Sequence, residues 1–274
     1  MVETVHLFLP LHGELISLLR SLSNEDWERP TVAARWRVKD VAAHLLDGDL
    51  RRLSIHRDGY APTARDGGAP SYEELLGYLN ALNASWVEAA ARLSPPVIVE
   101  LLAWAGPQVA TFFATLPPDG PACFPVAWAG EGRSVNWMDV GRDYTEKWHH
   151  QAQIRDAVGA PDLNGGVWLS PVLELSLRAL PYTFRNFTAA DASAFNVVIE
   201  GEAGGSWHIF RNRGEWELRE GEASAPLAAA QLDADSAWRL FFNALNPEEA
   251  QRRIRLTGDK AMGTQFLRMR SVMV

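Results

Sequence analysis

The sequence has little cysteine: Cys123 is the only one in 274 residues. A single cysteine excludes an intrachain disulfide and fits a reducing compartment, so we expect a cytoplasmic location. The amino terminus has Glu3 and His6 where a secretory signal peptide has a basic stretch. Apolar runs stay short of the ~18 residues that a membrane span needs, so we expect no membrane segment.

Positive charge is also scarce. Lysine and arginine number 26 against 34 acidic residues, which gives a formal net charge of −8. Nucleic-acid phosphates require a basic surface, so this composition argues against nucleic acid as a partner. Apolar residues make up 47% of the chain and charged residues 22%, as expected of a globular protein with a full core. The length favours two domains.

Residues 1–165 are predicted to form a helical domain. Apolar residues recur there at helical spacing, and Ser71 with Glu74 has the pattern of a capping box. Glycine and proline predict a loop over 61–70 and a kink at Gly106-Pro107. The pattern is that of a four-helix bundle with a long crossover over residues 117–134. The predicted helices cover residues 5–22, 38–53, 71–92, 97–116 and 136–158.

Residues 175–274 differ in pattern and predict a small α+β domain, with the boundary near 160–180. Asn212-Arg213-Gly214 separates two alternating segments and predicts a hairpin turn. The predicted strands cover residues 195–200, 207–211, 215–219, 225–232 and 253–256. The predicted helices cover residues 169–180, 233–245 and 261–271. The predicted fold is therefore α plus α+β.

Three side chains in the helical half have the chemistry of metal ligands. Glu146 and His150 are four residues apart, which places them on one helix face about 6 Å apart at Cβ. His44 lies in another predicted helix and would add a second imidazole. Two imidazoles and one carboxylate can hold one ion and leave positions open for water or substrate. We therefore predict a metal site at these three residues.

The spacing also permits a structural interpretation. Histidine on a helix is commonly a packed or surface residue, and Glu146 could pair with Arg142 instead. Tyr144 and Trp148 lie almost opposite Glu146 and His150 on the helix, so either face could be the core. His149 is a competing ligand, but it is rotated about 100° from His150. We expect His149 to lie behind the ligands or at the surface.

The residues around these three resemble one known family. Trp36, then Asp40-Val-Ala-Ala-His44-Leu, and later Glu146-x-x-x-His150 followed by 153–159 are similar to the mycothiol-dependent maleylpyruvate isomerase family. That family belongs to the DinB-like four-helix-bundle superfamily. The resemblance covers roughly residues 5–160. It implies a zinc ion held by His44, Glu146 and His150.

The carboxyl-terminal half resembles the sterol-carrier-like domain attached to these isomerases, chiefly through its element order and Leu256-Thr-Gly-Asp259. The family brings an arginine from this domain to its active site. The sequence leaves four candidates for that role without choosing among them: Arg185, Arg253, Arg255 and Arg268.

The resemblance implies a function that uses a small-molecule thiol. We expect a metal-dependent isomerase or S-transferase, with zinc favoured over nickel or iron and a mycothiol-type thiol as cosubstrate. The substrate would be a small, acidic molecule, and the protein a monomer or homodimer. The alternative is a non-catalytic metal-binding carrier of an apolar molecule, and a third interpretation is a helical scaffold without metal.

Residues near the predicted ligands have alternative roles. Cys123 is interpreted as a half-buried small residue and not as a catalytic thiol. Three acidic residues flank His44, and either one of them orients its imidazole or they form a solvated helix face. These residues are Asp40, Asp47 and Asp49.

Overall fold

The computed structural model describes residues 1–33, 35–60 and 71–273, and the loop predicted for 61–70 lies outside them. Apart from the first two residues, the chain groups into two compact units. The N-terminal unit comprises Glu3–Cys123 and Val135–Asp162. The C-terminal unit comprises Phe124–Ser134 and Leu163–Val274. Part of the predicted crossover, residues 124–134, thus groups with the C-terminal unit.

The N-terminal unit is helical. Its helices are α1 (Phe8–Ser21), α2 (Asn24–Trp27), α3 (Val38–Arg51), α4 (Tyr72–Ala90), α5 (Pro95–Phe113) and α6 (Asn136–Val158). Helices α1, α3, α5 and α6 pack on one another as a four-helix bundle, and α4 packs against α3. Large apolar side chains such as Leu46, Leu102 and Trp148 fill its core and are fully buried. The predicted bundle is confirmed, while the short helix α2 was not predicted.

The helix ends follow the local signals in the sequence. The Ser71 hydroxyl accepts from the Glu74 amide at 3.2 Å, and the Glu74 carboxylate accepts from the Ser71 amide at 2.8 Å. This is the predicted capping box. Helix α6 ends where Gly159 adopts a left-handed conformation with φ of 68°. Helix α3 continues into a π-helical turn over Arg52–Arg57, slightly beyond its predicted end.

Helix α5 bears on the expectation of no membrane segment. By length and composition alone, Pro95–Phe113 is apolar enough to cross a membrane. A buried helix of a bundle core passes the same test, and α5 packs against α1 and α3 within this unit. Gly106 allows this contact, because a Cβ there would lie 2.3 Å from the His12 ring. The helix runs on through Pro107.

The C-terminal unit has helices and one mixed sheet. Its helices are α7 (Gly166–Leu177), α8 (Ala179–Phe184), α9 (Ala234–Phe241), α10 (Pro247–Arg253) and α11 (Lys260–Phe266). Its strands are β1 (Ala194–Glu200), β2 (Gly205–Asn212), β3 (Glu215–Glu220), β4 (Ala228–Asp233) and β5 (Arg255–Gly258). The strand order is β3-β2-β1-β4-β5, with β1 and β4 parallel and the other neighbours antiparallel. The predicted α+β character is confirmed.

Three helical details of this unit differ from the prediction. The helix predicted over 169–180 is two helices, α7 and α8. The helix predicted over 233–245 ends at Phe241, and Asn243 then adopts a left-handed φ of 58°. Helix α10 was missed, although Asn246 before Pro247 is a typical helix start. The Asn246 side chain accepts from the Glu249 amide at 2.9 Å and so caps the helix.

Candidate metal centre

Helices α3 and α6 bring the three predicted ligands together. His44 projects from α3, and Glu146 and His150 project from consecutive turns of α6. One possible ligand atom from each residue lies within 4.8 Å of the other two. The Nε2 atom of His150 is 3.4 Å from Glu146 Oε2, and the two imidazole centroids are 4.7 Å apart. The three groups thus surround one point between the helices.

The donor atoms have capacity that the protein leaves unused. The buried Nδ1 of His44 has no hydrogen-bond partner within the described ranges 1–33, 35–60 and 71–273. The Nδ1 of His150 lies 2.9 Å from Gln153 Oε1, which leaves its Nε2 facing Glu146. The Glu146 side chain is 25% exposed, so the group keeps access to solvent. Three ligands of this kind could hold a divalent ion and leave a coordination position open, unlike a closed structural site with four protein ligands.

The local electrostatics favour a neutral imidazole beside a carboxylate anion. Burial and the neighbouring His150 hold the pKa of His44 well below its usual value. Burial raises the pKa of Glu146, but the hydrogen bond with His150 and nearby positive charge outweigh it, and the pKa is lowered overall. Metal ions require deprotonated ligands. His44 and Glu146 therefore have the required protonation states at neutral pH.

Aromatic rings enclose the imidazoles on two sides. The Trp36 ring centroid is 4.8 Å from that of His44 and 6.1 Å from that of His150. The His149 ring lies 3.9 Å from the His150 ring and is buried, with its Nδ1 2.9 Å from the Thr145 carbonyl oxygen. Burial lowers the pKa of His149 to about 3. His149 therefore packs behind His150 and does not lie at the surface.

Comparison with known families identifies the N-terminal unit. Residues 8–155, more than half of the chain, match the family model described as the mycothiol maleylpyruvate isomerase N-terminal domain. The chain belongs to this family. All three candidate ligands, His44, Glu146 and His150, lie within the matched residues.

Solved structures show that the likeness extends over both units at the level of the fold. A mutant of the mycothiol-dependent maleylpyruvate isomerase superimposes with a TM-score of 0.57 at 8% identity, over 92% of this chain and 91% of that chain. A second crystal structure of the mycothiol-dependent maleylpyruvate isomerase gives 0.55 at 10% identity, with the same coverage. A sterol carrier protein from Aedes aegypti covers 35% of this chain at 12% identity, with a TM-score of 0.26, which is too low to indicate a shared fold. Among curated proteins, none matches this chain.

In this isomerase-family member, the acidic residues flanking His44 do not orient its imidazole. Asp40 accepts from the Arg37 amide at 2.9 Å and caps α3. Asp47 pairs with Arg51 at 2.9 Å, and Asp49 pairs with Lys147 of α6. Asp47 and Asp49 are buried, so the solvated-face interpretation is also wrong for these two. Both carboxylates are occupied by cations.

A buried ion-pair cluster links the two ligand-bearing helices. Arg52 directs Nη1 and Nη2 to the Asp139 carboxylate at 2.7 Å each, and its Nε contacts Asp143 at 3.1 Å. Arg142 also pairs with Asp139, at 2.9 Å, where the sequence had left open a pair with Glu146. Burial raises the pKa of Asp139, but the two arginines outweigh it and lower the pKa well below its usual range. Spacing along the chain did not reveal this cluster.

The remaining sequence candidates are placed as follows. Cys123 is exposed and not half-buried as expected, although partial desolvation raises the pKa of its thiol. Within the C-terminal unit, Arg185 lies over the Tyr182 ring at 3.8 Å, and Arg253 pairs with Asp235 at 3.0 Å. These contacts describe two of the four arginines that the sequence left open.

Proposed function

We propose that this chain is a metal-dependent isomerase or S-transferase that uses a low-molecular-weight thiol of the mycothiol type. The substrate would be a small, acidic molecule. The observation that carries the proposal is the convergence of His44, Glu146 and His150 on one point, with ligand atoms within 4.8 Å of one another. Membership in the mycothiol maleylpyruvate isomerase family supports the choice of thiol.

The donor set favours zinc, with nickel and iron as alternatives. Two imidazoles and one carboxylate are common zinc ligands and leave a position for an exogenous group. When bound, a divalent ion would keep a coordinating thiol deprotonated and so supply the thiolate nucleophile. The side chains of His44, Glu146 and His150 would hold this ion. The lowered pKa values of His44 and Glu146 match that role.

The remaining residues of the site would shape the approach of the thiol and the substrate. Glu146 is 25% exposed, whereas His150 is 8% exposed at its side chain, so access is from the side of the carboxylate. The Trp36 ring lies against both imidazoles and would exclude water from one side. The raised pKa of Cys123 leaves little thiolate at neutral pH, so this residue is a poor substitute for an added thiol.

The same proposal includes a cytoplasmic location, a monomer or homodimer, and small molecules instead of nucleic acid as partners. A net charge of −8 disfavours a polyanion as a partner. The carrier alternative stays a prediction. It would gain support if an apolar probe bound the protein stoichiometrically while bound metal proved inert to added thiol.

The metal can be tested by elemental analysis of protein purified without a tag. We expect about one equivalent of divalent metal in the parent and a sharp loss in His44→Ala, Glu146→Ala and His150→Ala. His149→Ala is the matched control, because it removes a buried imidazole from the same helix without removing a proposed ligand. Equal metal content in His150→Ala and the parent would refute the site. Loss in His149→Ala alone would shift the ligand assignment by one residue.

The chemistry can be tested by a thiol-transfer and isomerisation screen with mycothiol, bacillithiol and glutathione. We expect turnover only with an added thiol, and none after the metal is chelated. An unactivated thiol of pKa about 8.5 is only a few per cent thiolate near pH 7, so chelation should remove the nucleophile. Turnover that persists without both thiol and metal would refute the isomerase and the transferase proposals together.

A further inference from the structure

We infer that Gln153 is a positioning residue: its side-chain oxygen holds the His150 imidazole in the tautomer and orientation that direct Nε2 to the candidate metal position. The inference rests on the proposed function, since it concerns one of the proposed ligands. It adds a residue that touches neither the ion nor the substrate. It is carried by one hydrogen bond and by the contrast with the two other histidines of the site.

The hydrogen bond determines which nitrogen of His150 faces the candidate metal position. Gln153 lies three residues after His150 on α6, so the two side chains share a helix face. The distance from His150 Nδ1 to Gln153 Oε1 is 2.9 Å, and both residues are buried. An amide oxygen only accepts, so Nδ1 is the donor in this contact. The other nitrogen, Nε2, faces Glu146 and is 3.4 Å from its Oε2, so it is the nitrogen of His150 available to an ion.

The other two histidines lack this arrangement. His149 directs its Nδ1 to the backbone oxygen of Thr145 at 2.9 Å, an interaction that no substitution at position 145 removes. The Nδ1 of His44 has no partner among the residues that the structure describes. Of the two candidate imidazole ligands, His150 is therefore the one held by a replaceable side chain. A neutral amide also orients the ring without adding a second negative charge beside Glu146.

The choice of glutamine has a testable chemical reason. The nitrogen of a ligating histidine that faces away from the metal generally donates to an acceptor, and loss of that acceptor typically costs 10–100-fold in metal affinity. Glutamate at position 153 would keep an acceptor, whereas methionine has a similar length without one. Gln153→Glu should therefore preserve what Gln153→Met removes. This pair of variants separates the hydrogen bond from the packing of the side chain.

Gln151 provides the matched control. It is a glutamine on the same helix, equally buried, and two residues away. With its amide oriented to satisfy its neighbours, it donates to the Leu11 carbonyl at 3.2 Å and accepts from Arg155 at 3.1 Å. Gln151→Met thus removes a buried amide from α6 without touching His150. A purely structural role for Gln153 predicts the same result for both methionine variants.

Two measurements decide the inference. The first is the zinc dissociation constant of the full chain, obtained by competition with a chromophoric chelator. We expect Gln153→Met to weaken zinc binding 10–100-fold, and Gln153→Glu and Gln151→Met to stay within about threefold of the parent. The second is the imidazole ¹⁵N spectrum of the zinc-loaded protein. We expect a hydrogen-bonded Nδ1–H on His150 in the parent, and loss of that hydrogen bond only in Gln153→Met.

The outcomes separate this inference from the proposed function. A parent that binds zinc, with Gln153→Met unchanged in affinity and in the Nδ1–H signal of His150, would overturn the role of Gln153 alone. A parent without zinc binding would overturn both proposals. If Gln153→Met does not fold, Gln153→Ala tests the same loss of the acceptor. A Gln153→Glu protein that binds zinc as weakly as the variant without an acceptor would also contradict the inference.

Discussion

Replacement of Arg52 by methionine should destabilise the helical bundle strongly. The Arg52 guanidinium is 3% exposed and donates two hydrogen bonds of 2.7 Å to Asp139, whose side chain is 0% exposed. Methionine approximates the aliphatic part of the arginine but removes the guanidinium that both Asp139 and Asp143 contact. The buried carboxylates are then compensated only in part, by Arg142, and cannot move to water without unfolding α6.

The magnitude follows from this burial. Removal of one partner from a buried ion pair typically costs about 3–5 kcal/mol, against about 0–1 kcal/mol for an exposed pair. Arg142 still reaches Asp139 at 2.9 Å, so we expect the lower part of the range, about 3 kcal/mol. The matched control is Arg51→Met, since Arg51 is 28% exposed and pairs with Asp47. Asp47 is itself buried, so we expect this control to cost more than an exposed pair but less than Arg52→Met, because Arg51 is partly exposed.

The penalty should depend on pH in a defined direction. In the parent, the lowered pKa of Asp139 contributes stability above about pH 4, which is lost as the pH falls through the folded-state value. Without Arg52, burial raises the folded-state pKa of Asp139, so the carboxylate destabilises the fold until it is protonated. The difference between parent and variant is therefore largest at neutral pH and shrinks toward acid.

The assay is chemical denaturation followed by far-ultraviolet circular dichroism, at neutral pH and near pH 4. Combining Arg52→Met with Asp139→Asn should recover a large part of the lost free energy of unfolding, because the buried charge is then gone. An Arg52→Met protein as stable as Arg51→Met would refute the argument. So would a penalty that grows as the pH falls.

Three further predictions address other parts of the chain. Gly258→Ala should destabilise the C-terminal unit by about 1–3 kcal/mol in denaturation, because φ is +80° there and a Cβ would lie 2.2 Å from the Leu227 carbonyl oxygen; an unchanged unfolding midpoint would contradict this. Cys123 should alkylate slowly at neutral pH and faster only above the usual thiol pKa, since that pKa is raised, and Cys123→Ser should keep thiol-dependent turnover within a few-fold. Limited proteolysis near residues 164–166 should release two compact pieces if domains 1–165 and 175–274 fold separately; an uncleaved chain would argue against that boundary.

Local features of the fold could be predicted from the sequence because neighbouring residues decide them. Helix α6 begins and ends where predicted, at Asn136 and Val158, since apolar spacing and Gly159 are local signals. The hairpin between β2 and β3 follows from Arg213 and Gly214, which adopt positive φ values of 50° and 84°. Predictions failed at the break between α7 and α8, where local signals were weak, and at α10, where the start signal at Asn246-Pro247 was overlooked.

The candidate site also depends partly on local spacing and partly on long-range packing. The spacing of Glu146 and His150 places them on one helix face whatever the rest of the fold does. Their approach to His44 depends on how α3 packs on α6, which no local pattern states. The family resemblance suggested that the three residues lie close together. In the structure, one possible ligand atom from each lies within 4.8 Å of the other two.

The sequence by itself determined most of the helical and strand segments, because periodicity, caps and turn residues act over a few positions, and the family resemblance pointed to the candidate ligands. Only the tertiary structure decided which charges are paired in the interior. Arg52 and Asp139 are 87 positions apart and meet because α3 and its π-turn pack along α6. It also decided that Asp49 bonds to Lys147. Long-range packing selects one partner from many chemically equivalent residues, and that choice is not encoded in any single stretch of the chain.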